Sequence, residues 1–201
     1  MSDVRLILAS TSPWRAELLA RFGLPFDCRS PEVDEALWKR RIHDAEELVR
    51  TLAELKARAV VRPEDRDVWI VGADQVALHG RGRLDKPGTV ENAEAQLRQL
   101  SGSTHELHTG WFVLRVRDGA YRAGHDVHRL RMRRLSAEEI RAYVRRDSPL
   151  GCAGSYRLES LGVTLFDAVE GVDSTAVVGL PLMGLSSGLR ALGFDVLREA
   201  P

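Results

Sequence analysis

The sequence has only two cysteines, Cys28 and Cys152, in 201 residues. Two cysteines are too few for a disulfide framework, and this pair is too widely spaced in sequence for a zinc-ligand motif. Long apolar runs are also lacking, since the most apolar later stretch, 176–185, is interrupted by Gly179 and Pro181. Neither a membrane span nor a signal-peptide pattern is predicted, so we expect a soluble, cytoplasmic protein.

An excess of charge of either sign is lacking too, because 29 Lys and Arg residues balance 29 Asp and Glu residues. This balance argues against a protein that coats nucleic acid or an anionic membrane. Lysine itself is rare, and Lys39, Lys56 and Lys86 are the full set. The chain has no internal repeat, low-complexity tract or interdomain linker, so we predict a single domain over residues 1–201.

Residues 4–9 form an apolar run that predicts a short buried strand, and the amphipathic segment after it predicts a helix. Ser12 suits the N-cap of that helix and Pro13 its first position. A strand that leads directly into a helix presents unpaired backbone N–H groups, which favour an anion. Ser10 and Ser12 add hydroxyl groups there, and Arg15 can bind phosphate oxygens with two parallel hydrogen bonds. The same residues also fit an ordinary strand–helix junction without a ligand.

A second helix is predicted from Asp44, which suits an N-cap with Glu47 three residues on. Lys56 lies at the edge of the apolar stripe of this helix, and its ammonium either reaches back to solvent or points into a cleft. The predicted stripe consists of Leu48, Leu52, Leu55 and Ala59.

The apolar run 68–71 predicts another buried strand, and Asp74 follows it among small and apolar residues. Open α/β sheets bind ligands at strand ends, so a carboxylate here suits a general base or a metal ligand. The alternative is an aspartate that hydrogen-bonds its own backbone in a turn.

Two more carboxylates, Glu32 and Asp34, precede the second helix, and in an extended segment their side chains point the same way. Together with Asp74 they offer the hard oxygen ligands that Mg²⁺ or Mn²⁺ prefers when it also contacts phosphates. They are equally typical of solvated strand caps. Two His-x-x-His pairs do not favour zinc, because a separation of three in a strand places the rings on opposite faces.

The rest of the chain predicts a mixed α/β fold. Asp118-Gly119 between two strand-like runs over 105–134 predicts a hairpin. Further helices are predicted from Thr89, Ser136 and Pro181, and a further strand over 163–169. Strands and helices alternate in the first half of the chain, which favours a central sheet flanked by helices.

A series of short motifs occurs in order along nearly the whole chain. They are Leu-Ala-Ser-Thr-Ser-Pro-Trp-Arg at 8–15, Pro-Glu-Val-Asp-Glu at 31–35, Leu-Lys-Ala at 55–57, Val-Gly-Ala-Asp-Gln-Val at 71–76, Asp-Lys-Pro at 85–87, Cys-Ala-Gly-Ser-Tyr at 152–156 and Val-Gly-Leu-Pro-Leu at 178–182. In this order and spacing they resemble the Maf family of nucleotide pyrophosphatases.

The resemblance implies a central twisted mixed sheet in two lobes with a nucleotide cleft between them, and a homodimer. It implies hydrolysis of a nucleoside triphosphate to the monophosphate and pyrophosphate, with Mg²⁺ or Mn²⁺. Asp74 is then the base that activates water, beside a metal ion shared with Glu32. The residues implied to hold the triphosphate are Ser10, Ser12, Arg15, Lys56 and Lys86.

Within the family, the combination of Trp14, Gln75 and Glu159 resembles the branch that hydrolyses 7-methyl-GTP. Methylation at N7 gives guanine a positive charge, which an indole face attracts by cation–π contact. A carboxylate at Glu159 can accept the N1–H and exocyclic amino protons of guanine. Where this branch usually has glycine after that glutamate, the chain has Ser160, and Leu158 is bulkier than the family pattern.

Two other functions agree with the same motifs. One is a pyrophosphatase of the same family that prefers dTTP or UTP. The other is a non-catalytic nucleotide-binding regulator, because the family has been linked to septum formation and cell division. The presence of Glu32, Asp74 and Lys86 together favours an enzyme, since a protein that only binds nucleotide needs no general base.

Overall fold

The computed structural model describes residues 5–199. Its strands are β1 (Leu6–Leu8), β2 (Phe26–Cys28), β3 (Trp69–His79), β4 (Gly82–Leu84), β5 (Thr104–Arg115), β6 (Tyr121–Met132) and β7 (Phe166–Glu170). Its α-helices are α1 (Pro13–Ala20), α2 (Glu35–Arg41), α3 (Ala45–Ala59), α4 (Val90–Leu100), α5 (Ala137–Asp147) and α6 (Leu182–Ala191). Short 3₁₀ segments cover Ala153–Ser155, Leu161–Leu165 and Ala176–Val178.

The strands form one seven-stranded mixed sheet in the order β2-β1-β3-β5-β6-β7, with β4 paired to β3. β1 lies parallel to both β2 and β3, whereas β4 is antiparallel to β3 and β7 is antiparallel to β6. The predicted mixed α/β sheet is therefore confirmed.

The chain divides into two compact units. Among the described residues, unit 1 comprises 5–75, 109–126 and 173–199, and unit 2 comprises 76–108 and 127–172. The chain passes from one unit to the other inside β3, β5 and β6, so these strands contribute residues to both, and it passes once more after β7, at residues 172–173.

Unit 1 has a hydrophobic core on each face of its strands, because successive side chains of a strand point to opposite faces. On one face, Leu6 and Leu8 of β1 pack with residues of α1 and α6, among them Leu18 and Leu185. On the other face, Ile7 and Ile70 pack with Ala53 and Ala57 of α3. Helices therefore cover both faces of this part of the sheet.

Unit 2 contains β4, β7, α4 and α5, and its two helices pack against each other. The buried residues of α4 are Ala93, Leu97 and Leu100. Ser155 has a positive φ of 62°, and its Oγ donates to Oε1 of Gln96 on α4 at 2.5 Å.

The predicted helix starts are confirmed at Ser12, Asp44, Thr89 and Ser136, each of which accepts a backbone N–H with its side chain. Ser136 and Glu139 form a reciprocal capping box. The hairpin at Asp118-Gly119 is confirmed as well, between β5 and β6. None of the helices in residues 5–199 has the length and apolar composition needed to cross a lipid bilayer.

Two predicted elements are wrong in part. The predicted strand over 163–169 is a 3₁₀ segment up to Leu165 and a strand only from Phe166, because the chain folds back tightly at Gly162. A Cβ on Gly162 would lie 2.3 Å from the carbonyl oxygen of Arg157. On α3, Leu55 is only half-buried and Ala59 is exposed, whereas Lys56 is buried.

Candidate active site

The start of α1 is built as the sequence predicts. Ser12 accepts the backbone N–H of Arg15 at 3.4 Å, and its own backbone N–H donates to Oγ of Ser10 at 3.1 Å. Pro13 occupies the first helical position, where the missing N–H costs no hydrogen bond. A hydroxyl oxygen that accepts a hydrogen bond still carries a proton that it can donate. Both serines therefore keep the capacity to bind an anion at this helix start.

The guanidinium of Arg15 is fixed by the turn before α6. Its Nε donates to the carbonyl oxygen of Gly179 at 3.0 Å. Burial lowers the pKa of Arg15, and the charges of Asp74 and Glu35 act in the opposite direction. Arginine remains charged in proteins, so the Arg15 guanidinium shares this region of unit 1 with two carboxylates.

A close contact between α3 and β3 brings Lys56 to Asp74. A Cβ on Gly72 would lie 2.1 Å from the carbonyl oxygen of Ala53, so the backbones of the two elements touch where a side chain would not fit. Gly72 lies two residues before Asp74, and Ala53 lies three residues before Lys56. The glycine therefore sets the distance at which the lysine meets the carboxylate.

Lys56 is buried, with 6% of its surface exposed, and its ammonium contacts two carboxylates. Nζ lies 2.6 Å from Oδ1 of Asp74 and 2.6 Å from Oε1 of Glu35. Burial raises the pKa of Glu35, but the charge and hydrogen bond of Lys56 outweigh this effect and hold that pKa below its usual value. The alternative in which Lys56 reaches solvent is therefore wrong.

Asp74 lies inside β3 rather than just past the end of a strand. It is 4% exposed, and its Oδ2 has no hydrogen-bond partner among residues 5–199. A buried carboxylate oxygen without a partner costs free energy, because hydrogen bonds normally compensate burial. Such an oxygen therefore indicates a functional role. The alternative of a turn aspartate bonded to its own backbone is wrong, because the residue is in a regular strand and contacts Lys56.

The neighbouring Gln75 has a defined amide orientation. Its Nε2 donates to Oγ1 of Thr109 at 2.9 Å and to the carbonyl oxygen of Ala176 at 2.8 Å. Thr109 in turn donates its hydroxyl proton to the same carbonyl oxygen at 3.0 Å. Because both partners can only accept from the amide, this network assigns the amide nitrogen to their side. Gln75 thus offers its carbonyl oxygen as the group that can accept a further hydrogen bond.

In unit 2, Lys86 and Glu159 both lie near Cys152. Burial raises the pKa of the Cys152 thiol, the charge of Glu159 raises it further, and the charges of Arg157 and Lys86 lower it. Both Lys86 and Glu159 are exposed. The structure thus places two of the predicted site residues in one region of this unit.

A comparison with protein-family models matches residues 5–192 to the family described as Maf-like protein. The chain belongs to the Maf family. One relative is the protein named 7-methyl-GTP pyrophosphatase from Nitrosococcus oceani. It is 42% identical to this chain over 192 residues, which cover 96% of this chain and 95% of the relative. The protein of that name from Xanthomonas campestris pv. campestris is 44% identical over 194 residues, covering 96% of this chain and 98% of the relative.

Among the predicted site residues of this Maf chain, unit 1 brings Arg15, Lys56 and Asp74 together. Trp14 is half-buried in the first turn of α1, beside Arg15. Glu32 is exposed ahead of α2, and Asp34 accepts the backbone N–H of Leu37 at 3.0 Å as the N-cap of that helix. No cluster of three or more potential His, Cys, Asp or Glu metal ligands occurs within the described residues 5–199.

Sequence reasoning missed Glu35, the carboxylate that contacts Lys56. Of the segment 31–35, only Glu32 and Asp34 were considered as ligands, on the condition that the segment is extended, but Asp34 caps a helix there and Glu35 contacts Lys56. A signal for this helix was present, since Glu35 stands in its first turn and Lys39, Arg40 and Arg41 stand in its last. Thr109 and Gly179, which fix Gln75 and Arg15, lie far from them in sequence and gave no such signal.

Proposed function

We propose that this chain hydrolyses 7-methyl-GTP to 7-methyl-GMP and pyrophosphate. The observation that carries the proposal is the buried Asp74 carboxylate, held by Lys56 through Oδ1 and without a partner at Oδ2. Relatives that match this chain over nearly their whole length bear the name of this activity.

Asp74 acts as the general base. Lys56 holds Oδ1, so Oδ2 is the oxygen that accepts a proton from the attacking water. The water oxygen then bonds to the α-phosphorus, the bond from this phosphorus to the bridging oxygen breaks, and pyrophosphate leaves with the electron pair.

Positive charge in unit 1 stabilises the phosphates. Arg15 is pre-positioned by Gly179, so its guanidinium loses little freedom when it binds phosphate oxygens. The hydroxyls of Ser10 and Ser12 and the helix start add hydrogen-bond donors. Lys86 stays a predicted phosphate ligand on the family resemblance.

The residues present fit a divalent cation, Mg²⁺ or Mn²⁺, because a buried carboxylate oxygen is unpartnered and hard oxygen ligands suit these ions. Asp74 and Glu35 would hold it, and because a carboxylate oxygen has two lone pairs, Oδ2 of Asp74 would keep one of them for the proton of water. When bound, the cation would offset negative charge on the phosphate oxygens. We choose Glu35 over the predicted Glu32 because Glu35 shares the Lys56 ammonium with Asp74, whereas Glu32 is exposed.

Base selection is proposed to rest on Trp14, Gln75 and Glu159. The indole of Trp14 attracts the positively charged ring of 7-methylguanine. Gln75 contributes an acceptor through its carbonyl oxygen, in agreement with its fixed amide, and Glu159 contributes carboxylate acceptors. The amide oxygen of Gln75 and the carboxylate of Glu159 suit the N–H donors of guanine.

Hydrolysis in ¹⁸O-labelled water tests the reaction. We expect 7-methyl-GMP and pyrophosphate in equal amounts, with the label only in 7-methyl-GMP, because attack is at the α-phosphorus. Label in pyrophosphate would place attack at the β-phosphorus, and stepwise release of inorganic phosphate would exclude a pyrophosphatase.

A cytoplasmic location and a homodimer belong to the proposal as well, and the homodimer rests on the family resemblance alone. Light scattering of the purified chain measures its mass against the 22.4 kDa of one chain. A mass of a single chain at all concentrations would exclude the homodimer.

A further inference from the structure

A buried carboxylate in unit 2 stands apart from the groups used above. Asp147, the last residue of α5, is 4% exposed and accepts hydrogen bonds from three side chains. Tyr143 donates its hydroxyl proton to Oδ2 at 2.7 Å, and Arg157 donates from Nη2 to Oδ1 at 2.7 Å. Ser160 donates from Oγ to Oδ1 at 2.5 Å. Both oxygens of Asp147 are therefore satisfied.

The backbone takes part in the same network. The N–H of Arg157 donates to the hydroxyl oxygen of Tyr143 at 3.1 Å, and Nη2 of Arg157 also contacts the backbone carbonyl oxygen of Asp147. Residue 157 is thus attached to the end of α5 through both its main chain and its side chain.

Residues 157–162 form a tight turn between these anchors. The N–H of Ser160 donates to the carbonyl oxygen of Arg157 at 3.2 Å, and Gly162 approaches Arg157 too closely to carry a Cβ. Glu159 lies between the two anchored residues of this turn. Its backbone position is therefore set by groups that lie on α5.

The charge of the network is defined. Burial raises the pKa of Asp147, but hydrogen bonds from Arg157, Ser160 and Tyr143 outweigh it and hold that pKa below its usual value. Asp147 is thus ionised at neutral pH, when a charge-assisted network of this kind holds a loop most firmly.

We propose that Asp147, with Tyr143, Arg157 and Ser160, positions Glu159 to read the base and so sets the selectivity among nucleotides. The proposal rests on the role given to Glu159 in the proposed function. These are positioning residues, because they act through Glu159 and not on the substrate.

The test compares Asp147→Asn and Ser160→Ala with the wild-type chain on 7-methyl-GTP, GTP and UTP. We expect Asp147→Asn to lower the ratio of kcat/KM between the preferred nucleotide and the others about tenfold, mainly through KM. Ser160→Ala removes one hydrogen bond, so a loss of roughly three- to fivefold is expected. Amide hydrogen exchange over 157–162 should become faster in both.

Asp65→Asn is the matched control. Asp65 is also buried and paired with an arginine, Arg29, at 2.6 and 3.0 Å, but it lies in unit 1. This variant should lose stability without a change in the selectivity ratio. Where Asp147→Asn does not fold, Ser160→Ala carries the same comparison.

A double-mutant cycle with Glu159→Gln decides whether the network acts through Glu159. In that background the effect of Asp147→Asn on the ratio should shrink to about twofold or less. An unchanged effect there, or an equal loss on every nucleotide, would overturn the proposal. If the wild type prefers another base, the proposed function fails while this comparison still applies. If it shows no turnover, the ratio is taken from nucleotide dissociation constants.

Discussion

At the scale of single residues, the ammonium of Lys56 contacts two carboxylates that differ in burial. Asp74 and Glu35 contact the same ammonium at equal distances of 2.6 Å, yet Asp74 is buried and Glu35 is half-buried. Removing the charge of the lysine would leave two carboxylates close together, which repel each other. The pair therefore depends on Lys56.

Glu35→Gln and Glu32→Gln separate the two candidates for the second metal ligand. Glu35→Gln should raise the Mg²⁺ or Mn²⁺ concentration needed for half-maximal activity about tenfold or more, because a charged oxygen ligand is lost. Glu32→Gln, the control at an exposed residue of the same segment, should leave it within about twofold. The measurement is pyrophosphate release as a function of metal concentration. A larger effect of Glu32→Gln than of Glu35→Gln would identify Glu32 as the second metal ligand.

His105 gives the protein a pH dependence of stability. Burial, with a smaller effect from the charge of His79, lowers the pKa of His105 to about 4. The unfolded chain has a histidine pKa of about 6.5, so it takes up a proton first as the pH falls. Stability from neutral His105 is therefore full above pH ~6.5 and is lost between there and pH ~4, by about 3 kcal/mol.

Urea unfolding of His105→Gln and wild type between pH 7 and pH 4, the range over which His105 affects stability, measures this effect. The variant should lose about 3 kcal/mol less stability across the range. His43→Gln, at an exposed histidine, should follow the wild type. Parallel curves for all three proteins would show that His105 does not titrate as described.

At the scale of elements, the position of α3 matters most, because this helix carries Lys56. Two glycines allow it to approach the sheet. A Cβ on Gly72 of β3 would lie 2.1 Å from Ala53 O, and one on Gly110 of β5 would lie 2.6 Å from the Val49 backbone. Backbone atoms cannot yield as a flexible side chain would, so α3 must move if either glycine is replaced.

Gly72→Ala should lower the free energy of unfolding by about 3 kcal/mol or more, at the upper end of the range for overpacking. It should also reduce activity, because α3 and Lys56 shift away from Asp74. Gly82→Ala is the control, since a Cβ there meets only an ordinary contact at 3.6 Å. Urea unfolding and pyrophosphate release measure both effects. A stable Gly72→Ala variant with full activity would contradict the role of this contact.

Local signals in the sequence predicted most helix starts, because caps such as Ser12, Asp44 and Ser136 act on residues within one turn. Long-range contacts left no such signal. The burial of Lys56 depends on a strand that lies later in the chain, and the fixed amide of Gln75 depends on Ala176. The helix that begins after Asp34 was missed because it is short and contains no buried residue.

At the scale of the whole molecule, the family resemblance implies two lobes, but the boundaries of the two units could not be predicted from the sequence. Three of the four crossings between the units lie inside β3, β5 and β6, and a boundary within a strand has none of the Gly- or Pro-rich composition that marks a linker. The mixed sheet was predictable from the alternation of strands and helices. The family resemblance rests on motifs from both units. It could be recognised from the sequence because each motif is contiguous.

We predict the base preference from Trp14 and Gln75, which lie in unit 1, and from Glu159, which lies in unit 2. Pyrophosphate release from 7-methyl-GTP, GTP, dTTP, UTP and CTP, with Mg²⁺ or Mn²⁺, therefore tests the central claim most directly. The wild type should prefer 7-methyl-GTP, and Asp74→Asn should lower turnover about 10²- to 10⁴-fold while nucleotide affinity stays within a few-fold. Preference for dTTP or UTP would contradict the base preference proposed for Trp14, Gln75 and Glu159. Tight binding without pyrophosphate release from any nucleotide would contradict the proposed enzymatic activity.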